Sequence, residues 1–137
     1  MHSITRRKFV NQSAKTAIAA VITGSVLSNT VAMTDNNTFI HHVYFWLNNP
    51  NSKEDLDQLI AGLKKLSAVK TIKTFYIGKP ADTNRDVIDR SYSVSWLLLF
   101  NNKADQDSYQ TDPIHLKFVD ECKHLWKKVI VYDSVPV

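Results

Sequence analysis

Beyond residue 38 the apolar positions fall into short runs of two periods. Phe39 to Leu47 is dense in β-branched and aromatic residues and alternates as a strand, with His42, Tyr44 and Trp46 on one face and Val43, Phe45 and Leu47 on the other. Neither face is polar, so both are expected to be covered. Asn48-Asn49-Pro50-Asn51 reads as a turn. Ser52, three residues before Asp55, opens a helix whose Leu56, Leu59, Ile60, Leu63 and Leu66 share one face. Thr71 to Ile77 alternates as a second strand and stops at Gly78-Lys79-Pro80, where a polar loop begins. In a third strand, Tyr92 to Phe100, the residues Tyr92, Val94, Trp96, Leu98 and Phe100 lie on one face, and Ser93, Ser95, Leu97 and Leu99 on the other. Asn102 to Thr111 predicts a short helix carrying Tyr109, and Asp112-Pro113 starts another, with Asp as N-cap and Pro at the first helical position. Ile114, Phe118, Cys122 and Leu125 form its apolar stripe, and Val129 to Tyr132 is the last strand.

The order β-α-β-β-α-β predicts an α+β domain of the split βαβ, ferredoxin-like kind, with both helices on one face of a four-stranded antiparallel sheet. The bare face would carry Leu97 and Leu99, and an exposed apolar sheet face predicts a homodimer with two sheets packed together. Helix register suggests that the face with His42, Tyr44 and Trp46 is the helix-covered one. His41 is then expected to point toward the dimer and to be structural.

Ahead of this domain the chain is different. Thr5-Arg6-Arg7-Lys8-Phe9-Val10 sets an arginine pair before two apolar residues, and Ala17 to Leu27 is a mildly apolar run too short to span a bilayer. With small residues at Thr30-Val31-Ala32 it resembles a twin-arginine export signal, a receptor-read address rather than a lasting anchor. The expected organisation is a signal peptide over 1–32, a linker over 33–38 and a folded domain over 39–137, with a periplasmic or otherwise exported location. This also resolves the charge: four of the 17 Lys and Arg precede residue 33, and the remaining 13 balance the 13 acidic residues. The basic excess therefore belongs to the leader and gives no support for nucleic-acid binding. A single cysteine, Cys122, forms no intrachain disulfide, so the core must hold the domain.

His42-Val43-Tyr44-Phe45-Trp46, Gly78, Tyr92, Phe100, Tyr109-Gln-Thr-Asp-Pro-Ile-His115 and Val131-Tyr132-Asp133 together resemble the stress-responsive A/B barrel (Dabb) family over about residues 39 to 134. The resemblance implies a dimeric α/β barrel. Some relatives are polyketide cyclases, which implies His115 as a general base assisted by Tyr109, with His42 on the first strand as a further match. Those cyclases carry histidines where this chain has Val94 and Asp112, and smaller side chains at Tyr44 and Trp46.

On this reading Tyr109 and His115 are the candidate catalytic pair, and His42, Tyr44, Trp46, Val94, Trp96 and Phe118 line a pocket for a small apolar or phenolic molecule. His115, in the first turn of a helix, meets the positive end of the helix dipole, which favours its neutral, basic form. The same ring could equally pack between helix and sheet. Asp112 is most simply an N-cap and Cys122 core filler. No spacing predicts a metal or other cofactor. Three readings follow: a binding protein, a lyase-type enzyme and a structural, stress-protective dimer. N-terminal sequencing of the exported protein is expected to start at Met33, after cleavage behind Ala32; a start at His2 or Ser3 would overturn the leader.

Overall fold

The computed structural model describes residues 37–137, so the expected leader lies outside the described residues. Its elements are β1 (Phe39–Leu47), α1 (Lys53–Leu66), β2 (Ile72–Gly78), β3 (Val94–Phe100), α2 (Lys103–Thr111), α3 (Pro113–Cys122), a 3-10 turn (Lys123–Leu125) and β4 (Trp126–Ser134). The four strands form one antiparallel sheet in the order β2-β3-β1-β4, the ferredoxin-like arrangement.

The helix starts follow local chemistry. Ser52 Oγ accepts from the Asp55 N–H, Asn102 Oδ1 from the Asp105 N–H at 2.8 Å, and the Asp112 carboxylate from the Ile114 N–H at 2.8 Å. Each satisfies a donor the first helical turn would leave open, an effect of about 1 kcal/mol. Asp112 ends α2 and starts α3, so one residue forms the whole corner between them.

The strands differ from expectation in which face is covered. Burial along β1 alternates, with Phe39, His41, Val43, Phe45 and Leu47 enclosed beneath the helices and Ile40, His42, Tyr44 and Trp46 on the open face. His42, Tyr44 and Trp46 are therefore not on the helix-covered face, and His41 does not point away from it. The physical reason is the ladder: partners across an antiparallel pair share a face. Val43 pairs with Trp96 and Phe45 with Val94. Once Val94, Trp96, Leu98 and Phe100 pack under the helices, the odd-numbered residues of β1 must join them. Equal apolarity on the two faces of β1 concealed this.

Tyr92 also changes sides. Strand β3 begins only at Val94, because Ser93 turns the chain, donating its N–H to the Phe45 carbonyl at 2.7 Å and accepting from the Leu47 N–H through Oγ at 3.1 Å. Tyr92 then packs on the open face, 4.9 Å from the Tyr44 ring and 6.5 Å from Trp46. Leu97 and Leu99 lie on that open face, as expected, and are half-buried.

Leu59, Leu63 and Leu66 of α1 are fully buried against the sheet, and Phe118 and Cys122 of α3 against α1. Ile114, at the start of α3, stays partly exposed. A Cβ at Gly62 would stand 2.6 Å from the Cys122 sulfur and 3.2 Å from the Phe118 ring, so the two helices approach this closely only over a glycine. Gly62→Val is expected to lower stability by about 1–3 kcal/mol through overpacking. Combining it with Cys122→Ala should return part of the loss in urea unfolding; strictly additive effects would mean the helices do not meet there.

Candidate functional site

Tyr109 and His115 reach the same place from either side of the Asp112 corner. Tyr109, in the last turn of α2, is 1% exposed and its ring centroid lies 5.3 Å from Phe100. His115 sits in the first turn of α3, its ring 4.6 Å from that of Tyr109. The imidazole of His41 lies 5.9 Å from the same tyrosine ring.

Each polar group has a fixed role. His115 Nδ1 lies 3.1 Å from the Gln110 carbonyl, and since a carbonyl only accepts, Nδ1 carries the proton and Nε2 the lone pair. Burial lowers the pKa of His115 below its ordinary 6.5, reinforced by His41 and opposed by the Gln110 bond and Asp112. The direction agrees with expectation from the helix N-terminus, but burial is the largest cause. His41 pairs across the sheet with Asp133, and its Nδ1 lies 2.6 Å from the Asp133 carboxylate, which likewise fixes Nδ1 as donor. The Tyr109 oxygen accepts from the Trp96 indole N–H at 3.2 Å. Its pKa is pushed up to about 12 by burial, partly offset by that bond, so the hydroxyl keeps its proton and serves as a hydrogen-bond donor.

These groups form the polar end of a cavity of about 150 Å³, walled by Val43, Phe45, Phe118, Val119, Trp126, Val129 and Val131, with Gln110 beside His115. Among the described residues no Lys, Arg, Asp or Glu lines it. Val129 and Val131, on the edge strand β4, are partly exposed and form its mouth. A volume of this order is that of a benzene-sized ring.

Of the residues expected from sequence, His115, Tyr109 and Phe118 meet here, with Trp96 directly behind Tyr109. Val94 lines a separate cleft of about 720 Å³ with Leu56, Ile60 and Ile77. Tyr44 and Trp46 border an open depression of about 340 Å³ on the opposite face of the sheet, with Tyr92, Lys128 and Tyr132. His42 lies on that face too, its Nδ1 3.1 Å from the Tyr44 hydroxyl, and burial, then His41, lowers its pKa. These three therefore cannot contact a ligand held by Tyr109 and His115. The sequence reading missed His41 and Asp133 as a pair. The one signal for them is register, since they are 92 positions apart and meet only because β1 pairs with β4.

Among the described residues no cluster of three His, Cys, Asp or Glu is placed to hold a metal, and no helix is long and apolar enough to cross a membrane.

The Stress responsive A/B Barrel Domain profile, Dabb, matches residues 39–136. The chain belongs to the Dabb family. No curated protein matches it. Among solved structures, a Dabb family protein with a ferredoxin-like fold from Mesorhizobium loti is 24% identical, with a TM-score of 0.61 over 73% of this chain and 97% of that one. A hydroxynitrile lyase from Passiflora edulis is 22% identical, with a TM-score of 0.62 over 74% and 95%. A dimeric ferredoxin-like protein of unknown function from Thermobifida fusca is 16% identical, with a TM-score of 0.59 over 72% and 91%. At these identities the likeness is one of fold. The Dabb match takes in every strand and helix of the described domain, and so both halves of the His41–Asp133 pair.

The lowered values at His115 and His42 fix a sign. Just below their ordinary value of 6.5 the folded protein holds fewer protons than the unfolded chain, so the stability from these groups is complete above that value and falls as pH drops through the folded values. NMR titration is expected to put the His115 pKa below 6.5. The loss of Tm from about pH 7 to pH 5 should shrink in His115→Gln; an unchanged loss would show that His115 is not desolvated.

Proposed function

We propose that this Dabb protein is exported, works as a homodimer, and holds a small, uncharged, largely apolar molecule between α3 and the sheet, with His41, Tyr109 and His115 at its polar end. The observation that carries the reading is the convergence of these three hydrogen-bonding side chains on one cavity whose other walls, Gln110 aside, are apolar and to which no charged side chain among the described residues contributes. Among the described residues the lining offers an anion no Lys or Arg and a cation no carboxylate. A phenol, ketone or similar one-ring molecule fits this chemistry. The dimer is supported by the open face, where half-buried Leu97 pairs with exposed Tyr76 and half-buried Leu99 lies two residues on, and by structural neighbours that are themselves dimeric. Export is supported by the Arg6-Arg7 leader.

A second reading is a lyase. It is favoured by two imidazoles tethered through Nδ1 beside a protonated tyrosine, with His115 Nε2 left able to take a proton. That arrangement suits removal of a hydroxyl or carbon-bound proton, and the Passiflora neighbour is a hydroxynitrile lyase.

Native mass spectrometry of the mature protein recovered from the periplasm is expected to give a dimer retaining a small-molecule adduct. A bare dimer that takes up no neutral aromatic would favour the structural role, and a monomer would remove the packed-sheet argument. For the lyase reading, release of cyanide from mandelonitrile should fall about 10²- to 10⁴-fold in His115→Ala. Equal turnover would exclude His115 as the base.

A further inference from the structure

His42 stands within the open face of the sheet. Across the strands at its level run Tyr76 on β2, Leu97 on β3, His42 on β1 and Tyr132 on β4. Its ring lies 4.3 Å from that of Tyr44, whose hydroxyl is 3.1 Å from Nδ1. A phenol can donate to a bare imidazole nitrogen or accept from a protonated one, so this contact tolerates either charge state.

The surroundings do not. Neither adjoining row of paired residues, through Ile40 on one side and Tyr44 on the other, contains an Asp, Glu, Lys or Arg. Lys128 and Asp89 border the depression beside Trp46, which is four residues further along β1. Asp133 follows Tyr132 in sequence, but its carboxylate is engaged by His41, whose ring lies on the helix-covered side. Tyrosine ionises only at about pH 10, so His42 is the group in these rows that changes charge between about pH 5 and 8.

His42 is half-buried in the single protomer. A second sheet packed on Leu97 and Tyr132 would cover it further. Such a dimer is isologous, so each copy brings its own His42 to the contact. Protonation then places two like charges in a largely apolar interface that offers no facing carboxylate, and desolvation opposes both. Burial, and after it His41, already lowers the His42 pKa below its ordinary 6.5 in one protomer.

We propose that His42 makes the homodimer pH-dependent: the two sheets pack while the imidazole is neutral and separate when it takes up a proton. The proposal rests on the homodimer reading above and adds how that assembly is controlled. Its sign follows from linkage. The free protomer binds the proton more tightly than the dimer does, so association is strongest above the protomer's His42 pKa and weakens as pH falls through it. With one proton per protomer, the dissociation constant rises by up to about 100-fold for each pH unit below that value, until the dimer itself is protonated.

Sedimentation velocity of the mature protein tests this over a series from about pH 8 to about pH 5, read where circular dichroism shows the native fold. Wild type is expected to be dimeric at the upper end, with a dissociation constant at least about tenfold larger at the lower end. H42Q keeps a polar side chain that takes no charge and should hold the two constants within about twofold of each other. H42L should do the same, and serves where glutamine weakens the contact throughout the range. A folded wild type with one constant across the series would overturn the proposal and leave the dimer reading in place. A rise that persists in H42Q and H42L would also overturn it, by placing the acid response in another group. Wild type that is monomeric at the upper end would remove the dimer reading and the pH control with it.

Discussion

Alternation along β1 is the constraint on which the rest of the molecule depends. Neighbouring side chains on a strand cannot share a face, and His41 and His42 are neighbours, so one must go under the helices and the other must not. Pairing of Val43 with Trp96 makes the choice. From it follow the contact of buried His41 with exposed Asp133, the cavity beneath α3, and an outer face of His42, Tyr44, Trp46, Tyr92 and Tyr132. A slip of one residue in this pairing would exchange the two faces and dismantle the site without changing a single residue.

Most of the fold was legible because its signals are local. The caps at Ser52 and Asp112, the leucine spacing of α1 and the alternation of β3 each announce themselves within a few residues. Tyr109 and His115 were singled out through the resemblance to Dabb cyclases, and the corner at Asp112 brings the two rings together. What was not legible is non-local. Both faces of β1 are apolar or aromatic, so hydropathy could not say which was inside, and the bulk of Tyr44 and Trp46 suggested core where the structure has an open face. Tyr92 was misplaced for a related reason: its alternation with Val94 looked unbroken, and the turn at Ser93 depends on hydrogen bonds to β1. Asp133 needed a partner 92 residues away.

The candidate site combines strong burial with few polar groups, and this sets its chemistry. Burial keeps His115 in its neutral form and Tyr109 protonated, and each polar atom tied to the protein has its role fixed by a partner that can only accept or only donate. The site can thus exchange hydrogen bonds, or a proton, with a neutral guest without first rearranging. Such fixed donors and acceptors cost little reorganisation when a ligand arrives.

The single-residue corner at Asp112 has a consequence for how this site can change over time. Because nothing slack separates the end of α2 from the start of α3, the corner acts as a ruler between Tyr109 and His115. Adding or removing one residue between Asp112 and His115 would swing the imidazole by about 100° around the helix axis, out of the cavity altogether. Side chains lining the cavity are free to drift in size, but the spacing of this pair tolerates no insertion, so diversification has to proceed by substitution rather than by change of length.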